Sequence, residues 1–568
     1  MMRPTAAVGG IRSYSVPRSP CPMDLLLDGN EGAAPTEAES DALADALRAA
    51  MPGVLRGYPS ARGLEAALAA RHGLAAERVI VTAGADDAID RLCRALVGDG
   101  RQVILPEPTF EMIARYARIA GGEVVAVPWR GTWPVDDVIR CVGPQTALIV
   151  AVSPNNPTGA VVTAADVARV SAAAPHAVVL VDHAYVEFAD QDLTAEVLSL
   201  PNVVVTRTFS KAHGLAGLRV GYAVGPASVI GWLRAAGAPY AVSGPSLLLA
   251  QARLGADAGP FVARVREERA SLEALLVRLG AQVEPSQANF VFARFGDAAW
   301  VRDALAGLGI SVRIFPGRED LAGALRITCP GSAEGAERLA SGLTAALRPD
   351  AVLLDMDGVL VDVSASYRQA IIDTAATFGV SLTVDDIATA KAEGDANNDW
   401  VLTRRLLARR GVEAELGEVT RRFEAIYQGT AGAAGLRATE RLTVDHPWLE
   451  ALAARVRLGI VTGRPRSDAE RLLDEAGVRD LFPVVVCMGD APAKPSPAPV
   501  RLALERLGAR SAWMVGDTPD DVRAARAAGV VPVGMVAPGE DPAQARSMLE
   551  QAGAGRVLGA LAELEALL

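Results

Sequence analysis

The chain has 568 residues, half of them hydrophobic and 22% charged, which predicts roughly two to four domains with substantial cores and argues against global disorder. Its formal net charge of −11 argues against a general nucleic-acid or anionic-membrane binder. The five cysteines, Cys21, Cys93, Cys141, Cys329 and Cys487, form no CxxC pair and read as reduced core thiols of a cytoplasmic protein. The first fifteen residues hold no apolar signal-peptide core, and no apolar run approaches ~18–20 residues, so neither a signal peptide nor a transmembrane helix is expected.

In chain order, short β-branched apolar runs at 79–82, 103–105, 147–152, 178–182 and 203–206 alternate with helical patterns. Such alternation predicts an α/β fold: a parallel sheet with helices on both faces and ligands beyond the carboxyl ends of the strands. A second alternating block has strands expected at 351–355, 458–462, 484–487, 512–516 and 531–535. Between its first two strands lies a long insertion, about 364–455, in which Tyr367, Ile371, Ala375 and Phe378 follow helical spacing. The blocks meet at Leu347-Arg348-Pro349-Asp350, where Pro349 should stop the preceding helix. Residues 1–349 and 350–568 are therefore expected as two domains with almost no linker.

The most informative stretch of the first block is 205–219, VTRTFSKAHGLAGLR, which follows an apolar strand. A lysine can form a Schiff base with an aldehyde cofactor, and hydroxyls with an arginine can hold that cofactor's phosphate. Pyridoxal 5'-phosphate (PLP) demands this set. Lys211 is the candidate lysine, with Thr208, Ser210 and Arg219 as the phosphate grip. Gly84-Ala85-Asp86-Asp87 follows a strand and opens a helix, whose first backbone N–H groups, at Ala85 and Asp86, offer a phosphate site. Phe110 can stack on a pyridine ring. Asn156, in the run SPNNPTG, and Tyr185 can share the ring's phenolic oxygen. Asp182 ends a strand, and a buried carboxylate against the pyridine nitrogen keeps it protonated and makes the ring an electron sink. Alone, each residue reads as ordinary structure: a solvated lysine, a helix cap, a core aromatic, a turn asparagine. The joint order carries the signal.

On Asp28-Gly29-Asn30-Glu31, Arg56-Gly57-Tyr58-Pro59, Ala83-Gly84-Ala85-Asp86, Pro108-Thr109-Phe110, SPNNPTG, Asp182-His183-Ala184-Tyr185 and Ser210-Lys211 through Arg219, residues about 13–347 resemble a fold-type I PLP-dependent aminotransferase of class I/II. Within that class they most resemble the histidinol-phosphate aminotransferase branch. The resemblance implies a large domain at about 45–265 and a small domain from the N-terminal segment and about 266–347. It implies a homodimer in which Tyr58 reaches the neighbour's PLP phosphate. It also implies that Lys211 carries the cofactor and, once freed, moves a proton to and from the substrate Cα. Arg326 matches the arginine that binds a substrate carboxylate. In the histidinol-phosphate branch the pair Arg313 and Arg326, helped by Tyr14, grips a substrate phosphate, with glutamate and 2-oxoglutarate as amino donor and acceptor. His183 departs from the family, which usually has glutamate there. A threonine-phosphate decarboxylase resembles the same branch and is the nearest alternative.

In the second block, Asp355-Met356-Asp357-Gly358-Val359-Leu360 closes an apolar strand, and carboxylates at i and i+2 face the same way. One can attack phosphorus while the other protonates the leaving oxygen. Thr462 follows the next strand, Lys494 sits in Ala493-Lys494-Pro495, and Gly516-Asp517-Thr518-Pro519-Asp520-Asp521 follows a further strand. Hard carboxylate oxygens fit Mg²⁺. This ordered set resembles a haloacid dehalogenase (HAD) superfamily phosphatase, with a Rossmann-like core and a type 1 helical cap. By that resemblance Asp355 is the nucleophile that forms an aspartyl-phosphate, and Asp357 is the general acid/base. Thr462 and Lys494 hold phosphoryl oxygens. Asp355, Asp517 and the backbone carbonyl of Asp357 bind Mg²⁺, with Asp521 in support. The polar cap segment 391–400 reads either as a reader of the leaving group or as a solvated helix end.

The two resemblances imply a bifunctional enzyme acting in histidine biosynthesis, transaminating histidinol phosphate with 2-oxoglutarate and hydrolysing its phosphate. Familiar HAD-type histidinol phosphatases are capless and carry a Cys/His zinc loop, whereas this block has a large cap and the single cysteine Cys487. Phosphoglycolate or a sugar phosphate is the alternative substrate. A non-catalytic PLP-sensing or scaffold protein is the remaining class, disfavoured because every chemically essential position is filled.

Overall fold

The computed structural model of the chain describes every residue except 1, 4, 12, 14–16, 33–35, 394–397 and 431–432. The chain forms two compact units: residues 1–16, 27–296 and 313–336, and residues 17–26, 297–312 and 337–568.

The first unit is built on a seven-stranded sheet. Its order is Val79–Thr82, Gly221–Val224, Val203–Thr208, Val178–Asp182, Thr146–Val152, Gln102–Glu107 and Glu123–Pro128. The three central strands, Val203–Thr208, Val178–Asp182 and Thr146–Val152, are buried along their whole length. Near-continuous apolar runs are the mark of strands covered on both faces. Alternation then divides them: Val179, Val181 and Val205 join one core, and Leu148, Leu180 and Val204 the other. The sheet is not wholly parallel, as expected from the sequence, because Gly221–Val224 runs antiparallel to both its neighbours. The loop before it, 209–220, holds no α-helix to make a crossover, so the chain returns in the opposite sense. In the same unit Phe290–Arg294 pairs antiparallel with Ala324–Thr328, which in turn sets Arg326 opposite Arg313.

The second unit is built on a six-stranded, wholly parallel sheet. Its order is Val484–Val486, Arg457–Val461, Ala351–Leu354, Ala512–Gly516, Val531–Met535 and Arg556–Leu558. The short edge strand Arg556–Leu558 is an addition to the strands read from the sequence. Between the first two strands in chain order the described residues form five α-helices; four of them, Tyr367–Thr377, Val384–Ala392, Asp399–Arg409 and Leu416–Gln428, make up the cap, and the fifth, His446–Arg455, follows it. The chain enters the cap along Val361–Asp362 and leaves along Arg441–Leu442, which pair with each other. Helix Ala333–Leu347 ends two residues before Pro349. This unit nevertheless reaches back across that junction. Trp300, Ala304, Ala345 and Ala346 share one core with Val352, Leu354 and Trp513, and Arg556 pairs with Asp303 at 2.9 Å. Among the described residues no helix is long and apolar enough to cross a membrane.

Candidate active sites

In the first unit the carboxyl ends of neighbouring strands deliver their side chains to one cleft of about 400 Å³. It gathers Ala85, Asp86, Phe110, Asn156, Asp182, Tyr185, Thr208, Ser210, Lys211, Arg219, Arg313 and Arg326. Lys211 Nζ donates to the Gly29 carbonyl at 3.1 Å and lies 5.5 Å from the centre of the Tyr185 ring. Burial, then the nearby Arg326 guanidinium, lowers the Lys211 ammonium to about 8.

The cleft offers hydroxyl, N–H and guanidinium donors together with a buried acid. The Thr208 hydroxyl donates to Ser210 Oγ at 2.9 Å and accepts from the Ser210 N–H at 3.1 Å. Helix Ala85–Leu96 opens beside them after Gly84, whose φ of 82° is left-handed. A Cβ at Gly84 would stand 2.9 Å from Arg219 Nη2, so the glycine lets the guanidinium lie close against the helix start. Arg219 donates to Asp86 Oδ2 at 3.1 Å. Asp182 is buried and accepts from Thr206 Oγ1 at 2.9 Å, its neighbour in parallel register. Burial pushes its carboxyl up to about 6, and the Thr206 bond pulls the other way. The Tyr185 hydroxyl accepts from Asn30 Nδ2 at 3.0 Å, and burial pushes it up.

The two arginines are already engaged within the chain. Arg326 donates to Asn156 Oδ1 at 2.6 Å and to the Asp28 carbonyl at 2.5 Å. Arg313 Nη2 pairs with Glu111 Oε1 at 3.1 Å, while its buried Nη1 has no hydrogen-bond partner among the described residues. Tyr58 does not line the cleft of its own chain. It is 84% exposed and stacks on Tyr240 with ring centres 4.8 Å apart. Tyr14 lies outside the described residues. His183 is buried away from the cleft lining, with Nδ1 2.9 Å from Thr194 Oγ1, and burial lowers its imidazolium. The sequence reading gave no role to Asn30, Glu111 or Thr206. Thr206 was findable, because it lies two residues before Thr208 on the strand beside Asp182.

In the second unit Asp355 follows strand Ala351–Leu354. Lys494 Nζ lies 2.8 Å from Asp355 Oδ1 and 2.5 Å from Asp521 Oδ1, and donates to the Val461 carbonyl at 3.2 Å. Carboxylate oxygens of Asp355, Asp517 and Asp521, all buried, come within 4.8 Å of one another. Burial pushes the Asp355 carboxyl up against the pull of Lys494. Burial alone would lower the Lys494 ammonium, but Asp355 and Asp521 outweigh it and hold it high. Asp521 Oδ2 accepts the Thr518 N–H at 3.0 Å and hydroxyl at 2.6 Å, capping helix Pro519–Ala528. With one oxygen on Lys494 and the other on Thr518, Asp521 acts as a brace for this site. Gly358, with φ of 77°, is required where a Cβ would stand 2.3 Å from Asp517 Oδ2.

The Asp357 carboxylate stands apart from those three acids. It accepts from Arg464 Nε at 2.7 Å. Thr462 is buried, and its Oγ1 accepts the Arg464 N–H at 3.1 Å. Arg464 was missed in the sequence, although it lies two residues beyond Thr462 in the same strand-end loop. In the segment 391–400, residues 394–397 lie outside the described residues, and Asn398 caps helix Asp399–Arg409 through the N–H groups of Trp400 and Val401.

Comparison with known proteins matches both halves. The family model for aminotransferase class I and II matches residues 26–343, and that for haloacid dehalogenase-like hydrolases matches residues 349–529. A histidinol-phosphate aminotransferase of Thermoanaerobacter sp. (strain X514) is 33% identical over 343 residues, covering 59% of this chain and 96% of the relative. An imidazoleglycerol-phosphate dehydratase of Phytophthora nicotianae is 47% identical over 224 residues, which is 37% of this chain and half the length of that relative. The crystal structure of histidinol-phosphate aminotransferase from Sinorhizobium meliloti in complex with pyridoxal-5'-phosphate shares the fold, with a TM-score of 0.53 at 23% identity over 60% of this chain and 98% of that one.

These families use PLP and Mg²⁺, and the residues present fit both. The first cleft offers a lysine with a lowered pKa, a paired-hydroxyl and helix-start cradle at Gly84, and a buried acid. The second offers buried carboxylate oxygens suited to a hard dication. The chain belongs to the class I and II aminotransferases, as a fold-type I PLP-dependent domain followed by a haloacid dehalogenase-like hydrolase domain.

Proposed function

We propose that the chain is a cytoplasmic, bifunctional enzyme that transaminates histidinol phosphate with 2-oxoglutarate and hydrolyses a phosphomonoester, histidinol phosphate itself, at its second site. The observation that carries the substrate is Arg313: a buried guanidinium in the Lys211 cleft whose Nη1 has no partner among the described residues, facing Arg326 on the adjacent strand. Paired guanidinium forks suit a phosphate dianion. The relatives' names point the same way, since both enzymes act on imidazole-bearing phosphate esters.

At the first site Lys211 Nζ is the proton carrier. Its lowered pKa leaves much of it neutral near pH 8, able to take the substrate Cα proton and return it. When bound, PLP supplies the electron sink for the charge left on Cα. Thr208, Ser210, Arg219 and the N–H groups at Ala85 and Asp86 would hold its phosphate, and Asp182 its ring nitrogen. Tyr58, exposed beside Tyr240, would complete the site in a homodimer.

At the second site an Asp355 oxygen attacks phosphorus as the bond to the leaving oxygen breaks. Asp357 gives that oxygen its proton, and the alcohol departs. Water then attacks the aspartyl-phosphate phosphorus, returns a proton to Asp357 and frees inorganic phosphate and Asp355. Thr462 and Lys494 hold the phosphoryl oxygens. Asp355, Asp517 and the Asp357 carbonyl would hold Mg²⁺, which when bound neutralises phosphoryl charge. A second reading for this site, phosphoglycolate or a sugar phosphate, is favoured by the four-helix cap.

The test follows glutamate and free phosphate separately from histidinol phosphate and 2-oxoglutarate, with PLP and Mg²⁺ present. Glutamate should vanish only in Lys211→Ala, and phosphate only in Asp355→Asn. Glutamate without phosphate in the unaltered protein transfers the hydrolase to the second reading. Absence of both products rejects histidinol phosphate.

A further inference from the structure

We infer that Arg464 is the positioning residue for Asp357 and that Glu440, at the exit of the cap, locks it in place. The inference rests on the reading of Asp357 as the proton donor. The Arg464 side chain is 1% exposed and that of Glu440 5% exposed. One edge of the guanidinium, Nε and Nη2, closes on a single oxygen of Asp357, with Nε at 2.7 Å. The other edge holds Glu440, Nη1 on Oε2 at 3.0 Å and Nη2 on Oε1 at 3.1 Å. Nη1 also donates to the Tyr427 hydroxyl at 3.3 Å. The Tyr367 ring packs against the guanidinium face, 4.8 Å away.

A guanidinium has five N–H donors. Here all are committed, to Asp357, Glu440 and Tyr427, so none is left for a substrate phosphate. Arg464 must act through Asp357. Glu440 is itself fixed by Tyr427, whose hydroxyl donates at 3.0 Å, and by Ser366 Oγ at 2.9 Å. Ser366 follows the strand by which the chain enters the cap, and Glu440 precedes the strand by which it leaves. The guanidinium is thus fastened to both passages of the cap and to the acid at the reaction centre. Displacing the cap would draw Glu440 off Arg464 and release Asp357. Buried ion triads of this kind are seldom more stable than apolar replacements, so geometry rather than stability is their natural use.

The test uses the full-length protein with Mg²⁺ and two esters. p-Nitrophenyl phosphate has a leaving group that departs without a proton, and phenyl phosphate has one that needs it. Asp357→Asn, Arg464→Lys and Glu440→Gln are compared with the unaltered protein. Arg464→Lys should lower kcat/KM, which ends at the step that expels the leaving group, at least about tenfold more on phenyl phosphate than on p-nitrophenyl phosphate, within the usual range of general-acid catalysis. Glu440→Gln should show the same selectivity at smaller size. Equal loss on both esters in both variants overturns the inference, because a merely structural role does not depend on the leaving group. Should Arg464→Lys fail to melt cooperatively, Glu440→Gln decides alone. If Asp357→Asn shows no leaving-group dependence, the reading of Asp357 as proton donor has failed instead.

Discussion

The indole rings of Trp300 and Trp513 meet edge to face, their centres 4.6 Å apart and their planes at 67°. Each N–H donates into the last turn of helix Ala333–Leu347, Trp300 to Ala346 at 3.0 Å and Trp513 to Ala345 at 2.6 Å. Trp300 lies in the stretch matched by the aminotransferase family and Trp513 in that matched by the hydrolase. The hydrolase core is therefore completed by residues that precede Pro349. Trp300→Ala should destabilise the second unit by about 3–5 kcal/mol, the usual cost of emptying a buried aromatic site. Urea unfolding followed by phosphatase activity measures this. A loss below about 1 kcal/mol, no more than an ordinary surface substitution, would show that the unit does not need the contact.

Asp182 gives a stability prediction with a definite sign. Its folded value, about 6, stands above the ordinary 3.8. Between those pH values the folded, cofactor-free chain holds a proton that the unfolded chain has lost, so stability falls as pH rises through the window. Above it the buried carboxylate costs about 3 kcal/mol at 1.36 per pH unit. Asp182→Asn should therefore stabilise the cofactor-free protein at pH 7.5 by on the order of 2–3 kcal/mol, and flatten the slope between about pH 4 and 6. Transamination should fall in the same variant. Denaturant melts across a pH series check both parts, and an unchanged slope would contradict the first.

Lys211 gives a kinetic counterpart. Covalent attachment to an aldehyde needs the neutral amine. With its pKa lowered to about 8, the rate at which the cofactor-free protein takes up PLP should rise with pH and reach half its plateau near pH 8. Stopped-flow absorbance reads this directly. A rate still climbing steeply at pH 10 would mean that burial does not lower the amine.

Gly358 separates metal binding from folding. A Cβ there would enter left-handed backbone and press on Asp517 at 2.3 Å. Gly358→Ala should raise the Mg²⁺ concentration needed for half-maximal phosphatase activity by about tenfold or more, as displaced metal-site groups commonly do. Titration calorimetry with Mg²⁺ gives an independent readout. Unaltered Mg²⁺ affinity would show that Asp517 tolerates the shift.

How far the sequence could be read depended on distance along the chain. Strands Val178–Asp182 and Val203–Thr208 were legible because both are β-branched, short and buried on both faces. That put Asp182 and Lys211 at neighbouring strand ends. Gly221–Val224 was not legible, because its four residues follow the Lys211 loop without a helical pattern to separate them. Arg464 escaped for another reason: its partners Asp357 and Glu440 lie 107 and 24 residues away, and no local pattern announces a shared guanidinium. Asn30 reaches Thr328 across 298 residues in the same way. Residues carried by a motif at a strand end could be recognised even when far apart, whereas Arg464, outside any such motif, could not.

Lys494 also sets an order of events. It is one ammonium among three carboxylates, Asp355, Asp517 and Asp521, which leaves two formal negative charges, the amount that a single divalent cation cancels. A phosphate dianion arriving at the bare pocket would be repelled. Charge alone would therefore favour entry of the metal before the ester. Hydrolysis is then silent wherever Mg²⁺ is scarce, however much ester has accumulated.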